Sequence, residues 1–185
     1  MDVFEAIAER RSVREFLPRS PPEEIIRRVV SAAIMAPSAV NRQPWTFTVI
    51  RDRSLLDDIS REAKAYMLAA KPLSLPEHLY ERLTSADFHV FYQAPALIVI
   101  SAPSADPWIA EDCALAAQNL MLAAHGLGLG SCWIGLSQPW LATATGKRAL
   151  ELPEAQTPMA PVILGYPAGA VPAVSRNEPV IRWVG

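Results

Sequence analysis

The chain has 185 residues, 51% of them hydrophobic and 19% charged, with a formal net charge of -2. That length fits one domain with a sizeable core, and that composition excludes a disordered chain. The charge balance gives no electrostatic case for a nucleic-acid partner.

Residues 2 to 11 read as a first helix, with Asp2 placed to cap it and Val3, Phe4, Ile7 and Ala8 on one apolar face. It runs into Arg10-Arg11-Ser12-Val13-Arg14-Glu15-Phe16. Arginines and a serine at this density suit a phosphate, because the guanidinium fork matches its oxygens. Cations that complement the negative end of the helix dipole account equally well for Arg10 and Arg11, though not for Ser12 and Arg14.

Ser20-Pro21-Pro22-Glu23 predicts a second helix, with Ser20 at the N-cap, Pro21 at the first position and Glu23 in a capping box. Its inward face is Ile25, Ile26, Val29, Val30, Ala33 and Ile34. The stretch that follows, Ala36-Pro37-Ser38-Ala39-Val40-Asn41-Arg42-Gln43-Pro44-Trp45, is a stiffened loop bounded by two prolines. Its polar residues fit either a ligand loop or a helix-to-strand turn that satisfies its own backbone. A strand is predicted from Trp45 to Ile50. A third helix follows from Ser54 to Ala70, with Leu55, Leu56, Ile59, Ala63 and Met67 inward. Residues 71 to 76 read as a loop and 77 to 89 as weak helix or loop. Tyr80, Phe88, Phe91 and Tyr92 have no clear period; they suit core or interface packing, or the roof of a site.

Ala94 to Ile100 predicts a buried strand, and a long helix spans about Trp108 to His125. No charged residue falls between Cys113 and Gly135, yet Gln118, Asn119, His125 and the glycines argue against a membrane span. A helix apolar nearly all round is instead buried, and a subunit interface would cover it best. Gly126-Leu127-Gly128-Leu129-Gly130-Ser131 resembles a dinucleotide fingerprint but places Ser131 at the third glycine, and it follows a helix rather than a strand. Gly126 suits the helix C-cap, Ser131 to Ile134 a strand, and Ile134-Gly135 a backbone edge open to a flat ligand. A short helix at 140–150 and a core strand at 159–165 complete the order. The tail, 166–185, is proline-punctuated and rich in apolar residues, which predicts an extended arm lying on a surface. The order of elements suggests an α+β or three-layer α/β domain spanning the whole chain.

Cys113 and Cys132 lack the spacing of a disulfide framework, a zinc site or an iron–sulfur site. His78, His89 and His125 are isolated and read as core or surface residues rather than metal ligands. The N-terminus has no basic and apolar leader, so a cytoplasmic address is the expectation.

In their order, the segments 10–16, 36–45 and 126–135 resemble those of the FMN-dependent nitroreductase family. The resemblance covers nearly the whole chain. It implies an α/β/α sandwich with a mixed sheet, an intertwined homodimer with FMN at the interface, and a C-terminal arm reaching the other subunit. It places Arg10, Arg11 and Ser12 at the FMN phosphate and ribityl chain, and Arg14 near N1 and O2 of the isoalloxazine. Pro37, Ser38, Ala39 and Asn41 match the loop that the second subunit contributes. Trp133, Ile134, Gly135 and Leu136 match the segment lying on the ring, and Arg176 matches the arm residue completing the phosphate site. Family members also touch the flavin pyrimidine from the third-helix region, where Lys64 and Lys71 are the candidates. The implied activity passes electrons from NADH or NADPH through FMN to a nitroaromatic, a quinone or a similar small acceptor. The alternatives are a flavin-binding protein without general reductase activity and a specialised flavin oxidase or dehalogenase. No membrane or nucleic-acid partner is implied.

Overall fold

The computed structural model describes residues 1–71 and 76–185. A four-stranded sheet forms its middle, in the order β1-β2-β4-β3. The strands are β1 (Thr46–Ile50), β2 (Ala96–Pro103), β3 (Gly130–Trp133) and β4 (Gln156–Gly165). All three ladders are antiparallel. The parallel component expected of a mixed sheet is confined, among the described residues, to a bridge between Ser12 and Ser131.

Central strands are covered on both faces, so they read as continuous apolar runs. The period of two then sorts their side chains between two cores. Ala96, Ile98, Ile100 and Ala102 of β2 face one cluster, while Leu97 and Val99 face the other. The first cluster is closed by α2 (Glu23–Ala33) and α5 (Ile109–Gly126), through Ile26, Val29, Ala116 and Leu120. The second is closed by α3 (Arg53–Ala70) and the short helices α6 (Gln138–Leu141) and α7 (Ala144–Ala149), through Leu56, Ile59, Ala63 and Leu141. The result is the three-layer α/β/α arrangement. The register of β2 against β4 shifts after Ile100, where Pro158 and Pro161 interrupt the donors of β4.

Several boundaries differ from the sequence reading. The second helix starts at Glu23, with Pro22 at its N-cap and no side-chain cap. A proline excludes helical geometry from the residue before it, so Pro22 bars Pro21 from the first turn. Ser20 instead accepts a hydrogen bond from Nε of Arg51 at 3.2 Å. The left-handed stop after α5 is Gly128, with φ of 74°, rather than Gly126. The helix expected at 140–150 is broken, because Thr143 caps a new helix by accepting from the N–H of Gly146 at 3.1 Å. A helix α4 (Glu77–Thr84) forms where only weak helix was legible. Of the loop expected at 71–76, residues 72–75 lie outside the described residues.

The first helix, α1 (Val3–Glu9), is capped by Asp2 as expected, and Glu5 completes a capping box. Its apolar face, however, is uncovered: Phe4 is 79% exposed, and Val3 and Ile7 are exposed beside it. The tail beyond Gly165 carries no helix or strand, and Trp183 is 91% exposed.

Candidate functional site

The arginine segment after α1 runs along the edge of β3. Val13 donates its N–H to the carbonyl of Ser131 at 3.0 Å, and Leu17 donates to Tyr166 at 2.8 Å. Two glycines that pair across β3 and β4, Gly130 and Gly165, make room for it. A Cβ on Gly130 would lie 2.6 Å from Val13, and one on Gly165 would lie 2.8 Å from Phe16. Any side chain at either position would push the segment off the sheet.

An extended segment alternates its side chains, and that alternation divides the arginine cluster. Arg14, Ser12 and Arg10 act on the thiol of Cys132: burial pushes the thiol's pKa up, and these three groups oppose the rise. Arg11 and Val13 line a small cavity with Arg10, His125, Leu129 and Ser131. The guanidinium of Arg11 donates to the carbonyls of Ala8 at 2.6 Å and Arg10 at 3.0 Å, closing the C-terminal end of α1. The helix-end reading therefore describes what Arg11 does within the chain. Ser12 and Arg14 act on Cys132 together with Arg10, which also borders the cavity of Arg11.

Beyond Cys132 the chain leaves β3 through Trp133 and Ile134 into a single 3₁₀ turn, Gly135–Ser137. Ile134 donates its N–H to the carbonyl of Pro161 at 2.8 Å, extending the ladder by one bond. Trp133, Ile134, Gly135 and Leu136 then line a cavity of about 340 Å³ with Cys132, Leu79, Val90, Tyr92 and Arg14. No described residue comes within 4 Å of where a Cβ on Gly135 would stand, so the floor is open toward them. Among the described residues Arg14 is the one charged residue lining this cavity, and its guanidinium stands 5.8 Å from the centre of the Tyr92 ring.

The proline-bounded loop is elsewhere. Ala39–Asn41 forms a 3₁₀ turn in which Val40 has φ of 45° and Asn41 φ of 55°. A left-handed β-branched residue is a strained one, and such strain persists only where surroundings impose it. Here they do: Asp112 Oδ1 accepts the Ala39 N–H at 3.0 Å, Ser38 Oγ accepts the Gln43 N–H at 2.9 Å, and Arg42 pairs with Asp106 at 2.9 Å. Pro37 and Asn41 are exposed beside them. Asp112 lies in the first turn of α5, whereas the arginine segment crosses near its last turn, at His125 and Leu129. A helix of 18 residues is about 27 Å long at 1.5 Å per residue. Within one chain, then, the loop and the cavity of Arg11 and Val13 lie toward opposite ends of α5.

Two candidates go elsewhere. Lys64 donates its ammonium to the carbonyls of Ser85, Ala86 and Phe88, not toward the cavity of Arg14. Lys71 is the left-handed C-cap of α3. Arg176 is exposed on the tail. Leu79 and Val90 carry no sequence signal that marks them as lining the site, whereas Tyr92 is one of the aperiodic aromatics that suit core packing or the roof of a site.

A model described as the nitroreductase family matches residues 7–166. A protein of Methanothermobacter thermautotrophicus, provisionally named NADH dehydrogenase/NAD(P)H nitroreductase, is 37% identical over 174 residues, covering 91% of this chain and 78% of its own. An iodotyrosine deiodinase of Thermotoga neapolitana is 26% identical, over 98% of this chain and 97% of its own. The crystal structure of a nitroreductase with bound FMN from Bacteroides fragilis superposes with a TM-score of 0.86 at 28% identity, covering 100% of both chains. No helix among the described residues is long and apolar enough to cross a membrane, and no cluster of metal-ligating side chains occurs among them. The chain belongs to the nitroreductase family.

Proposed function

We propose that the protein is an FMN-dependent oxidoreductase that takes electrons from NADH or NADPH and passes them to a nitroaromatic, a quinone or a similar flat acceptor. The observation that carries this reading is the cavity of Arg14. Among the described residues it has an uncharged backbone floor at Trp133 to Leu136, an open face above Gly135 and a single cation at its edge. A planar tricyclic ring with one electron-rich edge fits that donor set. FMN would supply two-electron transfer at that ring.

Arg14 would stand as a fixed positive charge at the pyrimidine edge and favour the electron-rich form of the cofactor. Arg10 and Ser12 would hold the phosphate and ribityl chain, with Arg11 at the boundary and Arg176 closing the phosphate from the arm. Trp133, Ile134, Gly135 and Leu136 would set the height of the ring, and the backbone N–H groups there would offer a donor to its central edge. The buried Cys132 has its thiol held protonated and is not needed as a nucleophile.

In this reading Pro37, Ser38, Ala39 and Asn41, none of which lines the cavity of Arg14 in one chain, complete the site from a second copy, as the family resemblance implies. The working form is therefore a homodimer. The uncovered face of α1 and the apolar tail support it, because large exposed apolar areas mark contact surfaces. The tail, 166–185, acts as an arm on the second copy, and a groove between α2 and the open edge of β1 offers it a seat.

A second reading, reductive dehalogenation, is favoured by the full-length match to an iodotyrosine deiodinase. One experiment separates the two: anaerobic titration of the purified protein with NADH and NADPH, then addition of a quinone, a nitroaromatic or an iodinated phenol. The reductase reading expects rapid bleaching of the flavin by a reduced nicotinamide and reoxidation by quinone, with parallel double-reciprocal lines. Bleaching only by a non-nicotinamide reductant, followed by iodide release, would overturn it in favour of the second.

A further inference from the structure

The segment between α4 and β2 forms one wall of the cavity, and α3 grips it with a polar stripe. Asp57, Ser60 and Lys64 share one face of that helix. Lys64 holds the carbonyls of Ser85, Ala86 and Phe88. The buried hydroxyl of Ser60 accepts the Val90 N–H at 2.8 Å. Asp57 Oδ1 lies 3.0 Å from Nε2 of His89, and Arg53 bonds the same carboxylate at 3.0 Å. Nδ1 of His89 accepts the N–H of Phe91 at 3.1 Å and that of Gln93 at 3.4 Å. A ring that accepts twice at Nδ1 is neutral and carries its proton on Nε2, which it donates to Asp57.

Between those two N–H groups the backbone is left-handed: φ is 51° at Tyr92 and 56° at Gln93. Neither residue adopts that conformation readily, so something must impose it. The imposed turn aims the Tyr92 ring into the cavity. There it meets Arg14, with Arg82 5.3 Å from its centre and Phe88 edge-on at 5.6 Å.

We propose that His89 is a positioning residue: neutral, it locks Tyr92 over the acceptor face of the cavity, and protonated, it lets Tyr92 go. The functional half of this rests on the reading that the cavity holds FMN and a flat acceptor. The rest is geometry of the chain itself. Protonation puts a hydrogen on Nδ1, which then faces two N–H groups and can accept neither. Burial holds the pKa of His89 below its ordinary value of 6.5, against the opposing pull of Asp57. The lock is therefore closed above about 6.5 and opens as the pH falls below that. The charged groups around His89 are Arg53, Asp57, Arg61 and Lys64 of α3 and Asp87 of its own segment, with Arg82 of α4 on the neighbouring rings.

The test compares amide hydrogen exchange at Phe91 and Gln93, and the acceptor KM, in the wild type, His89→Phe and His89→Asn across a pH series. Asparagine places an oxygen near Nδ1 and does not titrate. His89→Phe is expected to exchange at least about tenfold faster at both amides and to raise the acceptor KM about tenfold, with the flavin content of the wild type. His89→Asn is expected to stay within about threefold of the wild type at neutral pH, and to keep its protection in acid while the wild type loses it. Exchange in His89→Phe within about threefold of the wild type would overturn the proposal. So would parallel loss of protection by the wild type and His89→Asn in acid, a comparison that holds even if the phenylalanine variant does not fold. A colourless wild type would overturn the flavin reading alone, and the exchange data would still decide the role of His89.

Discussion

Asp112 accepts the backbone N–H of Ala39 at 3.0 Å, across 73 positions of sequence. This bond ties the strained loop at 38–41 to the N-terminal turn of α5. In the proposed site shared by two copies, this loop belongs to the second copy. Asp112→Ala should therefore weaken both loop and cofactor. An unsatisfied N–H costs about 1–3 kcal/mol where it is buried, and the partly buried Ala39 belongs at the low end of that range. The check is FMN affinity by fluorescence, together with urea denaturation. Asp112→Asn keeps an oxygen in place and should retain most of the affinity. Equal affinity in Asp112→Ala and the wild type would detach the loop from the site.

Arg14 is the cation of the cavity, and Arg14→Ala should lower the reduction potential of the bound flavin. A single charge about 4 Å away is worth about 1 kcal/mol in water and about 4 kcal/mol near a protein surface. For a two-electron couple, about 30 mV corresponds to about 1.4 kcal/mol, so the expected shift is tens of millivolts. Spectroelectrochemical titration of both proteins reads it directly. An unchanged potential with flavin still bound would leave Arg14 as a partner of Tyr92 and nothing more.

The apolar environment of Cys113 makes a separate prediction. Burial, with Asp112 and Asp106 nearby, pushes its thiol from 9.0 up to about 12. The folded state thus keeps a proton that the unfolded state releases above 9.0. Stability should fall as the pH rises from that value toward about 12. Cys113→Ala should flatten that limb while costing some stability at neutral pH. Denaturation midpoints for both proteins between pH 7 and pH 11 would show it; parallel curves would mean that the thiol is inert in this range.

Much of this architecture was readable because it depends on local rules. Asp2 announced the first helix, and the inward positions of α3 follow a helical period without a break. The continuous apolar runs of β2 and β4 signalled strands buried on both faces. The site was legible only in part. The arginine cluster shows its residue types in sequence, but the separation of Arg14, in one cavity, from Arg11, in another, requires knowing that the segment is extended. Trp140 to Leu150 carries a helical period, and only the cap that Thr143 offers Gly146 breaks it. Nothing local connects Asp112 to Ala39, or His89 to the N–H of Gln93. Such bonds are set by tertiary packing, and no spacing rule records them.

The tail offers a mutational contrast. Arg176→Ala should weaken FMN binding and leave the dimer intact, since it removes one charge-assisted bond of about 1.5–3 kcal/mol. Ending the chain at Gly169 removes Val171, Val174, Val180, Ile181, Trp183 and Val184 as well. Burial of one such side chain contributes about 1.5–3 kcal/mol, so their joint loss is comparable to a whole domain's stability. The truncated protein should lose its flavin and most of its dimer, read by size-exclusion mass and visible absorbance. A yellow, dimeric truncation would make the tail dispensable.

The claim at the centre of the account is that two copies of this chain assemble each flavin site. Light scattering in line with a visible absorbance spectrum tests it on the purified protein in one experiment. The account predicts a particle of twice the 20.2 kDa of one chain, yellow, carrying about one FMN per chain. A monomer of 20.2 kDa that binds FMN with full stoichiometry would contradict the shared site, and a colourless protein that takes up no added FMN would contradict the flavin itself.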